Sequence, residues 1–236
     1  MSSKFILVAT FESSIVWFIV LNHASILHFS NSNQCQTQLK ELYETRPSSA
    51  NNDDTNISTS WKHEKEFIAY RLLYYVFLST NEKYSGGSSD MFQIMLSLKE
   101  QDREHPAIQH ALKVREAVAS SDYFWFFRLH KSSPNLGVFL TDLLVPTMRL
   151  RGLRRIAKAY RPSIELIVCL QNLGFGNSDQ LGSGETAGDD DGSGKIDEEG
   201  KSWLLSCGGV VEGSRFITKD SDIHAPNTDT KKNSLI

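Results

Sequence analysis

A run of cations in the second half of the chain offers the clearest potential for chemistry. Six positive residues and no acid lie between its ends, namely Arg149, Arg151, Arg154, Arg155, Lys158 and Arg161. In a helix, four of them (151, 154, 155 and 158) fall on one side, as contacts with nucleic-acid phosphates require. The alternative is a solvated face, or a face neutralised by acidic residues elsewhere in the chain. The run indicates phosphate binding and leaves that alternative open.

Patterns typical of enzymes and metal sites are incomplete. His63-Glu64 begins like the zinc motif H-E-x-x-H, but position 67 is phenylalanine. His105, His110 and His130 have no carboxylate or cysteine partner in a ligand pattern, so we expect surface or capping roles for them. The sequence contains no nucleophile–base pair, P-loop or dinucleotide fingerprint. We predict a protein that is not an enzyme and that uses no metal or cofactor.

One acidic stretch is similar to a calcium loop. Residues 189–200 match the EF-hand pattern at its first, third, fifth, sixth, eighth and ninth positions. However, Gly200 replaces the bidentate glutamate of the twelfth position, and glycines at 182, 184 and 188 disfavour an entering helix. We therefore predict a flexible acidic linker over 177–200 rather than a calcium site.

Charge and cysteine content narrow the class of protein. The net charge of -3 combines the basic run with residues 185–199, which carry seven acids and one lysine. Cys35, Cys169 and Cys207 are odd in number and widely spaced, which argues against a disulfide framework and suits a reducing nucleus or cytosol. We expect them to be small buried apolar residues.

Amphipathic helices must position the cations. Pro106 suits a first helical position, and the residues at 107, 111, 114 and 118 recur at helical spacing. Asp122 suits the N-cap of an aromatic helix over 123–129, which we expect to be buried on more than one side. In the basic helix, Leu150, Leu153, Ile156 and Tyr160 form the predicted apolar stripe.

Two earlier segments also predict buried helices. Trp61 to Leu78 is apolar around most of its circumference, so it should lie between neighbouring elements. Asp90 should cap a further helix whose core side is Met91, Phe92, Met95 and Leu98.

The C-terminal part predicts two helices and a hairpin. The helices are expected over Ile164–Leu173 and Trp203–Cys207, and two β-prone runs then flank Glu212-Gly213-Ser214. Helix, helix, hairpin is the order of a winged helix. Arg215 and Lys219, in and just after the hairpin, join the candidate nucleic-acid contacts.

Three of these segments together resemble a known family. They are AIQHALKVREAVASSDYFWFFRLHKSS, MRLRGLRRIAKAYRP and IELIVCLQNLGF, within a resemblance that spans Glu12 to Ile223. The chain resembles the SAC/GANP family (Sac-three and germinal-centre-associated nuclear protein). The resemblance implies a mainly α fold: a helical-hairpin (TPR-like) array followed by a C-terminal winged helix, the PCI-type arrangement.

The expected domains follow from this resemblance. We predict a helical scaffold over residues 1–162 with a flexible loop at 46–60. A winged-helix subdomain should occupy 163–219, with the acidic insert at 177–200, and a disordered tail 220–236. Since the chain starts inside the helical region of the family, we expect an N-terminally shortened member or an incomplete gene model.

The resemblance also implies a function. Family members are scaffold subunits, and the best known serve the transcription-and-export complex TREX-two at nuclear pores. For this chain it implies a second PCI-type subunit and a small acidic subunit as partners, RNA or DNA bound with weak specificity, and a nuclear location. The alternatives are an assembly subunit of a proteasome-lid or initiation-factor type without nucleic-acid contact, or a centrosome- or spindle-associated protein, with cytoplasm or centrosome as the location.

The apolar N-terminal stretch allows two interpretations. Phe5 to Leu27 could be a signal peptide or membrane anchor, but Glu12, Ser13 and Ser14 interrupt it and no usual cleavage site follows. The family resemblance matches residues 11–26 to a scaffold helix. We predict a packed helix and no membrane insertion.

Overall fold

The computed structural model describes Thr10, Glu12, Ser13 and residues 26–44, 63–81, 87–176 and 192–226. These residues are mainly helical, as predicted, with ten helices and three short strands. In chain order they are α1 Ile26–Glu44, α2 Glu64–Thr80, α3 Gly87–Ser97, α4 Glu100–Arg103, α5 Pro106–Ala119, α6 Tyr123–Lys131, α7 Gly137–Asp142, α8 Val145–Ala159, β1 Ser163–Glu165, α9 Leu166–Asn172, α10 Gly192–Ser206, β2 Val210–Glu212 and β3 Arg215–Ile217.

The chain divides into two compact units. The first contains Met1–Glu116 and Leu129–Val145, and the second contains Ala117–Arg128 and Pro146–Ile236. The predicted loop at 46–60 and residues 177–191 of the predicted insert lie outside the described residues.

Helix α2 is the centre of the first unit. It packs against α1, α3 and α7, and eight of its residues are buried: Phe67, Ala69, Tyr70, Leu72, Leu73, Tyr74, Tyr75 and Val76. The hydroxyl of Tyr70 donates to the Glu66 carboxylate and accepts a hydrogen bond from the backbone N–H of Leu136 at 3.2 Å. The expectation that this helix lies between neighbours is confirmed.

Helix α3 differs from its prediction in two respects. It begins at Gly87, so Asp90 lies in its first turn rather than at its N-cap. Leu98 is buried as expected, but Phe92 is 60% exposed. The spacing was right for a helix, but tertiary packing covers only part of the predicted apolar side.

The two following helices show where the sequence patterns hold and where they fail. The four α5 residues predicted at helical spacing (107, 111, 114 and 118) are all buried. The Trp125 N–H donates to Asp122 Oδ1 at 2.9 Å, the expected N-cap bond. In α6, Phe126 and Phe127 are buried, whereas Phe124 and Trp125 are each 42% exposed. The expectation that α6 is buried on more than one side is therefore wrong for these two aromatic residues.

A three-stranded antiparallel sheet lies in the second unit, in the order β1-β3-β2. Its register pairs Ile164 with Phe216, and Phe216 with Val211. The β2–β3 hairpin confirms the prediction, and Gly213 at its turn has φ +57°. Strand β1 was not predicted. Residues 164 and 165 extend because they pair with β3, so α9 begins only at Leu166.

Helix α10 is longer than predicted. It begins at Gly192, so residues 192–200, expected to be part of a flexible insert, are helical. Gly200 is buried, and a Cβ there would lie 2.8 Å from a methyl carbon of Leu170 on α9. Nine of the twelve residues in the EF-hand-like match are therefore helical and do not have the loop conformation that the pattern requires.

The start of the predicted disordered tail is ordered. The backbone N–H of His224 donates to the Cys207 carbonyl at 3.0 Å, and the N–H of Val210 donates to Ser221 Oγ at 2.9 Å. Ile223 packs against the core of the second unit. Residues 220–224 thus belong to the second unit, and residues 227–236 lie outside the described residues.

No described helix is both long and apolar enough to cross a lipid bilayer. Most of the Phe5 to Leu27 stretch lies outside the described residues, but Glu12 within it is described. Its carboxylate accepts a hydrogen bond from the Tyr43 hydroxyl of α1 at 2.6 Å, and burial raises the pKa of this carboxyl.

Candidate nucleic-acid interface

Helix α8 carries the predicted cations, and its apolar side anchors it in the second unit. Leu153 and Ile156 are fully buried, and Leu150 is partly buried against the same core. Tyr160, assigned to this stripe by sequence, is instead 48% exposed just beyond the helix end. The apolar side is fixed by the core, which turns the remaining positions toward solvent or toward neighbouring backbone.

Arg149 is held inside the unit. Its Nε donates to the Leu173 carbonyl and its Nη2 to the Gly174 carbonyl, each at 3.1 Å. Its guanidinium carbon lies 3.7 Å from the ring centre of Phe175, and burial lowers its pKa, which the nearby Glu199 partly opposes. These carbonyls end helix α9, so Arg149 satisfies groups that would otherwise be unpaired.

Two more arginines bind carbonyls at the end of helix α5. Arg151 Nη1 donates to the Val118 carbonyl at 3.0 Å, and Arg155 Nη2 donates to the Ser120 carbonyl at 2.8 Å. A cation at a helix C-terminus also interacts favourably with the helix dipole. The donors of Arg151 and Arg155 are thus partly used within the protein.

Arg154 and Lys158 differ from these three arginines. They lie one turn apart on α8, both are exposed, and among the described residues neither has a carboxylate within 4.0 Å. Arg161, just past the helix, is exposed as well. We define these three as the free basic edge of α8.

The two predicted hairpin cations have different surroundings. Arg215, in the central strand, lies opposite Glu165 on one side and Glu212 on the other, and its Nε donates to Ser163 Oγ at 3.0 Å. Two flanking carboxylates reduce the positive potential there. Lys219 is exposed, and its backbone N–H donates to the Pro162 carbonyl at 3.1 Å, which places it beside the end of the free basic edge.

The predicted chemistry-bearing residues outside the basic run serve the fold. Nδ1 of His105 accepts a hydrogen bond from the Ala107 N–H at 3.3 Å, a capping role as expected. His110 contacts the Leu129 carbonyl at 2.9 Å. Nδ1 of His130 lies 2.9 Å from Thr141 Oγ1, and its Nε2 lies 3.1 Å from Asp142.

Metal ligation and thiol chemistry find no support among the described residues. They contain no group of three or more His, Cys, Asp or Glu side chains that could hold a metal. Cys169 and Cys207 are buried, as expected for small apolar residues, and Cys35 is partly buried. Burial raises the pKa of Cys169 to about 12, so its thiol stays protonated at neutral pH.

Fold and site together define a mainly helical protein whose second unit contains a small antiparallel sheet and a helix with an exposed basic edge. The model of the SAC3/GANP family matches residues 19–183, more than half of the chain. The chain belongs to this family, which confirms the resemblance.

Three relatives from distant organisms are similar over comparable stretches. A THP3 homolog of Schizosaccharomyces pombe is 36% identical over 143 residues, which cover 61% of this chain and 31% of the relative. SAC3 family protein A of Arabidopsis thaliana is 35% identical over 153 residues, which cover 65% of this chain and 13% of the relative. A leukocyte receptor cluster member 8 homolog of Xenopus laevis is 32% identical over 151 residues, which cover 64% of this chain and 16% of the relative. The chain thus spans less than a third of each relative.

Proposed function

We propose that this chain is a non-enzymatic scaffold subunit of an mRNA-export-related complex and that its second unit contacts nucleic acid. Membership of the SAC3/GANP family supports the general role. In this proposal the helices of the first unit form a helical-hairpin array that docks a second PCI-type subunit and a small acidic subunit. The complex works in the nucleus, in association with nuclear pores.

The topology of the second unit supports a winged helix. Strand β1 precedes α9 and α10, the β2–β3 hairpin follows, and β1 pairs with β3. That order of helices and strands is the one expected for a PCI-type winged helix, with the hairpin as its wing.

The free basic edge of α8 is the observation that carries the nucleic-acid part of the proposal. Arg154, Lys158 and Arg161 are exposed, whereas Arg149, Arg151 and Arg155 already bind carbonyl oxygens. Exposed cations bind phosphates mainly by releasing counterions, which gives affinity without base specificity. Lys219 extends this edge, while the carboxylates opposite Arg215 make that residue a weaker contact.

The test is a double variant, Arg154→Gln with Lys158→Gln. We expect weaker binding to single-stranded RNA, similar for different base compositions, because each substitution removes a charge that neutralises a phosphate. The salt slope should fall by up to about 0.7 log units for each phosphate that is no longer neutralised. Fluorescence anisotropy titrations over a range of salt concentrations measure both the affinity and the slope.

The matched control is Lys113→Gln with Lys131→Gln, which removes two exposed cations outside the edge. It should leave the affinity and the salt slope close to those of the unmodified protein. Equal binding by both double variants, with circular dichroism showing both folded, would refute the proposed interface.

A second candidate function is an assembly subunit that contacts only proteins, of the proteasome-lid or initiation-factor type. The outer side of α10 favours it, because Glu198, Glu199 and Leu205 are exposed there, and α9 exposes Ile167 and Val168. Carboxylates repel phosphates, and exposed apolar residues suit a protein partner.

Affinity purification with and without RNase separates the two functions. RNA recovered with the unmodified protein, and reduced by the Arg154→Gln/Lys158→Gln variant, supports the scaffold with nucleic-acid contact. Recovery of partner subunits without RNA, unaffected by the same variant, supports the second function. A fluorescent fusion tests the nuclear location against the cytoplasm and the centrosome.

A further inference from the structure

A cleft in the first unit lies between α1, α2 and the segment containing α3 and α4. It is open to solvent and has a volume of about 190 Å³. Its wall combines the apolar side chains of Leu39, Phe67 and Ile94 with Gln36 and with seven charged residues, namely Lys40, Glu44, Glu64, Lys65, Arg71, Lys99 and Asp102. Apolar walls with a few polar groups are typical of ligand sites.

Two polar groups in this wall have atoms that lack hydrogen-bond partners. Nε and Nη1 of Arg71 and Oε1 of Gln36 are buried, and none of them is paired within the part of the chain that the structure describes. The third nitrogen of Arg71, Nη2, donates to Thr37 Oγ1 at 3.3 Å. Because unpaired buried polar atoms cost free energy, such atoms call for an explanation.

The neighbouring charges do not neutralise Arg71. Lys65 pairs with Asp102, so that carboxylate is already engaged. Glu44 pairs with Lys40 at 3.5 Å, and both side chains are more than half exposed, so this pair contributes little. Glu64 lines this cleft and Asp90 lines the adjoining one, but among the described residues no ion pair joins either carboxylate to Arg71. The guanidinium carbon of Arg71 lies 5.8 Å from the ring centre of Tyr75, a contact that leaves Nε and Nη1 without acceptors. Guanidinium geometry favours carboxylate and phosphate oxygens as such acceptors.

We propose that this cleft binds a small anion, a carboxylate carried on a short apolar body, with Arg71 as its counter-ion. Leu39, Phe67 and Ile94 would contact the apolar body, and Gln36 Oε1 would accept a hydrogen bond from an O–H or N–H of the ligand. A second cleft of about 280 Å³ shares Lys40, Arg71, Ile94 and Ser97 with the first. It offers room for a longer body.

The test uses benzoate and inorganic phosphate as probes on the full chain. Both are titrated at constant ionic strength, benzoate by saturation-transfer NMR and phosphate by its competition with benzoate. We expect saturable benzoate binding that is at least about tenfold weaker in Arg71→Met, because the variant loses a charge-assisted hydrogen bond. Lys40→Gln should weaken binding by a smaller factor.

Lys113→Gln, an exposed substitution on α5 of the same unit, is the matched control and should bind benzoate like the unmodified protein. If Arg71→Met does not fold, Arg71→Lys and Lys40→Gln provide the comparison. Phosphate binding that is tighter than benzoate binding would support an anion site at Arg71 but contradict the proposal that the ligand carries an apolar body. The absence of saturable binding for both anions, or equal binding in all variants, would overturn the proposal.

Discussion

The guanidinium of Arg149 lies 3.7 Å from the ring centre of Phe175 and also donates to two carbonyls at the end of α9. This arrangement makes a predicted phosphate ligand a structural residue of the second unit. Shortening the side chain removes the cation–π interaction and both charge-assisted hydrogen bonds together.

We therefore expect Arg149→Gln to destabilise the protein by about 1.5–3 kcal/mol. The salt slope of RNA binding should not change. Urea unfolding measures the first quantity, and Arg154→Gln is the control, expected to stay within about 0.5 kcal/mol of the unmodified protein because its side chain is exposed. An Arg149→Gln variant that is as stable as the unmodified protein but binds RNA more weakly would contradict this expectation and show that Arg149 contacts nucleic acid.

Two glycines with positive φ form a matched pair. Gly174 has φ +72°, and a Cβ there would lie 2.5 Å from a ring carbon of Phe127. Gly213 has φ +57° with no atom near the Cβ position among the described residues.

We expect Gly213→Ala to cost about 1–2 kcal/mol from backbone strain alone. Gly174→Ala should cost a further ~1–3 kcal/mol, because the strain is joined by overpacking against Phe127. Thermal and urea unfolding of both variants test this order. Equal costs would show that the Phe127 ring moves aside freely.

Cys169 provides a prediction about pH. Burial raises its pKa to about 12, whereas a cysteine in the unfolded chain has a pKa of about 8.5. The thiol therefore ionises first in the unfolded chain, and its contribution to stability is complete below about pH 8.5 and is lost as the pH rises toward 12.

The stability gap between the unmodified protein and Cys169→Ala should narrow by about 2 kcal/mol between pH 7.5 and pH 10. Urea unfolding at the two pH values measures the gap. Leu170→Ala alters the same core without removing a titrating group. The difference in stability between the unmodified protein and Leu170→Ala should therefore be the same at both pH values. A gap for Cys169→Ala that stays constant or widens would contradict the expected burial of the thiol.

Two deletions in the acidic segment 177–200 test the role of the first turns of α10. The shorter ends before α10, and the longer removes its first nine residues. Composition alone predicts that all of residues 177–200 can be replaced by a short Gly-Ser linker with little loss of stability, because loop-closure entropy changes slowly with length. Since residues 192–200 are helical, we now expect this only for residues 177–191. Extending the deletion to Gly200 removes the first nine residues of α10 and the packing against Leu170. We expect a melting temperature near that of the intact chain for the short deletion and a clear fall for the long one. Equal melting temperatures would show that residues 192–200 do not stabilise the unit.

Local sequence patterns predicted the hairpin and several of the helices of this protein, but not where α3, α9 and α10 begin. Pro106, Asp122 and the run before Leu78 act through contacts within a turn or along one helix, and Gly213 acts within its own turn. The family could also be recognised from the sequence, because the resemblance depends on which residues follow one another along the helices.

Tertiary structure alone decided which residues are available for binding. Strand β1 exists because Ile164 pairs with Phe216, more than fifty residues away. The six cations look alike in sequence, but Arg149, Arg151 and Arg155 reach carbonyls at the ends of other helices, while Arg154 and Lys158 have exposed side chains. Helical spacing places a side chain on one side of its own helix. It does not determine which backbone, ring or carboxylate the rest of the fold brings to that side.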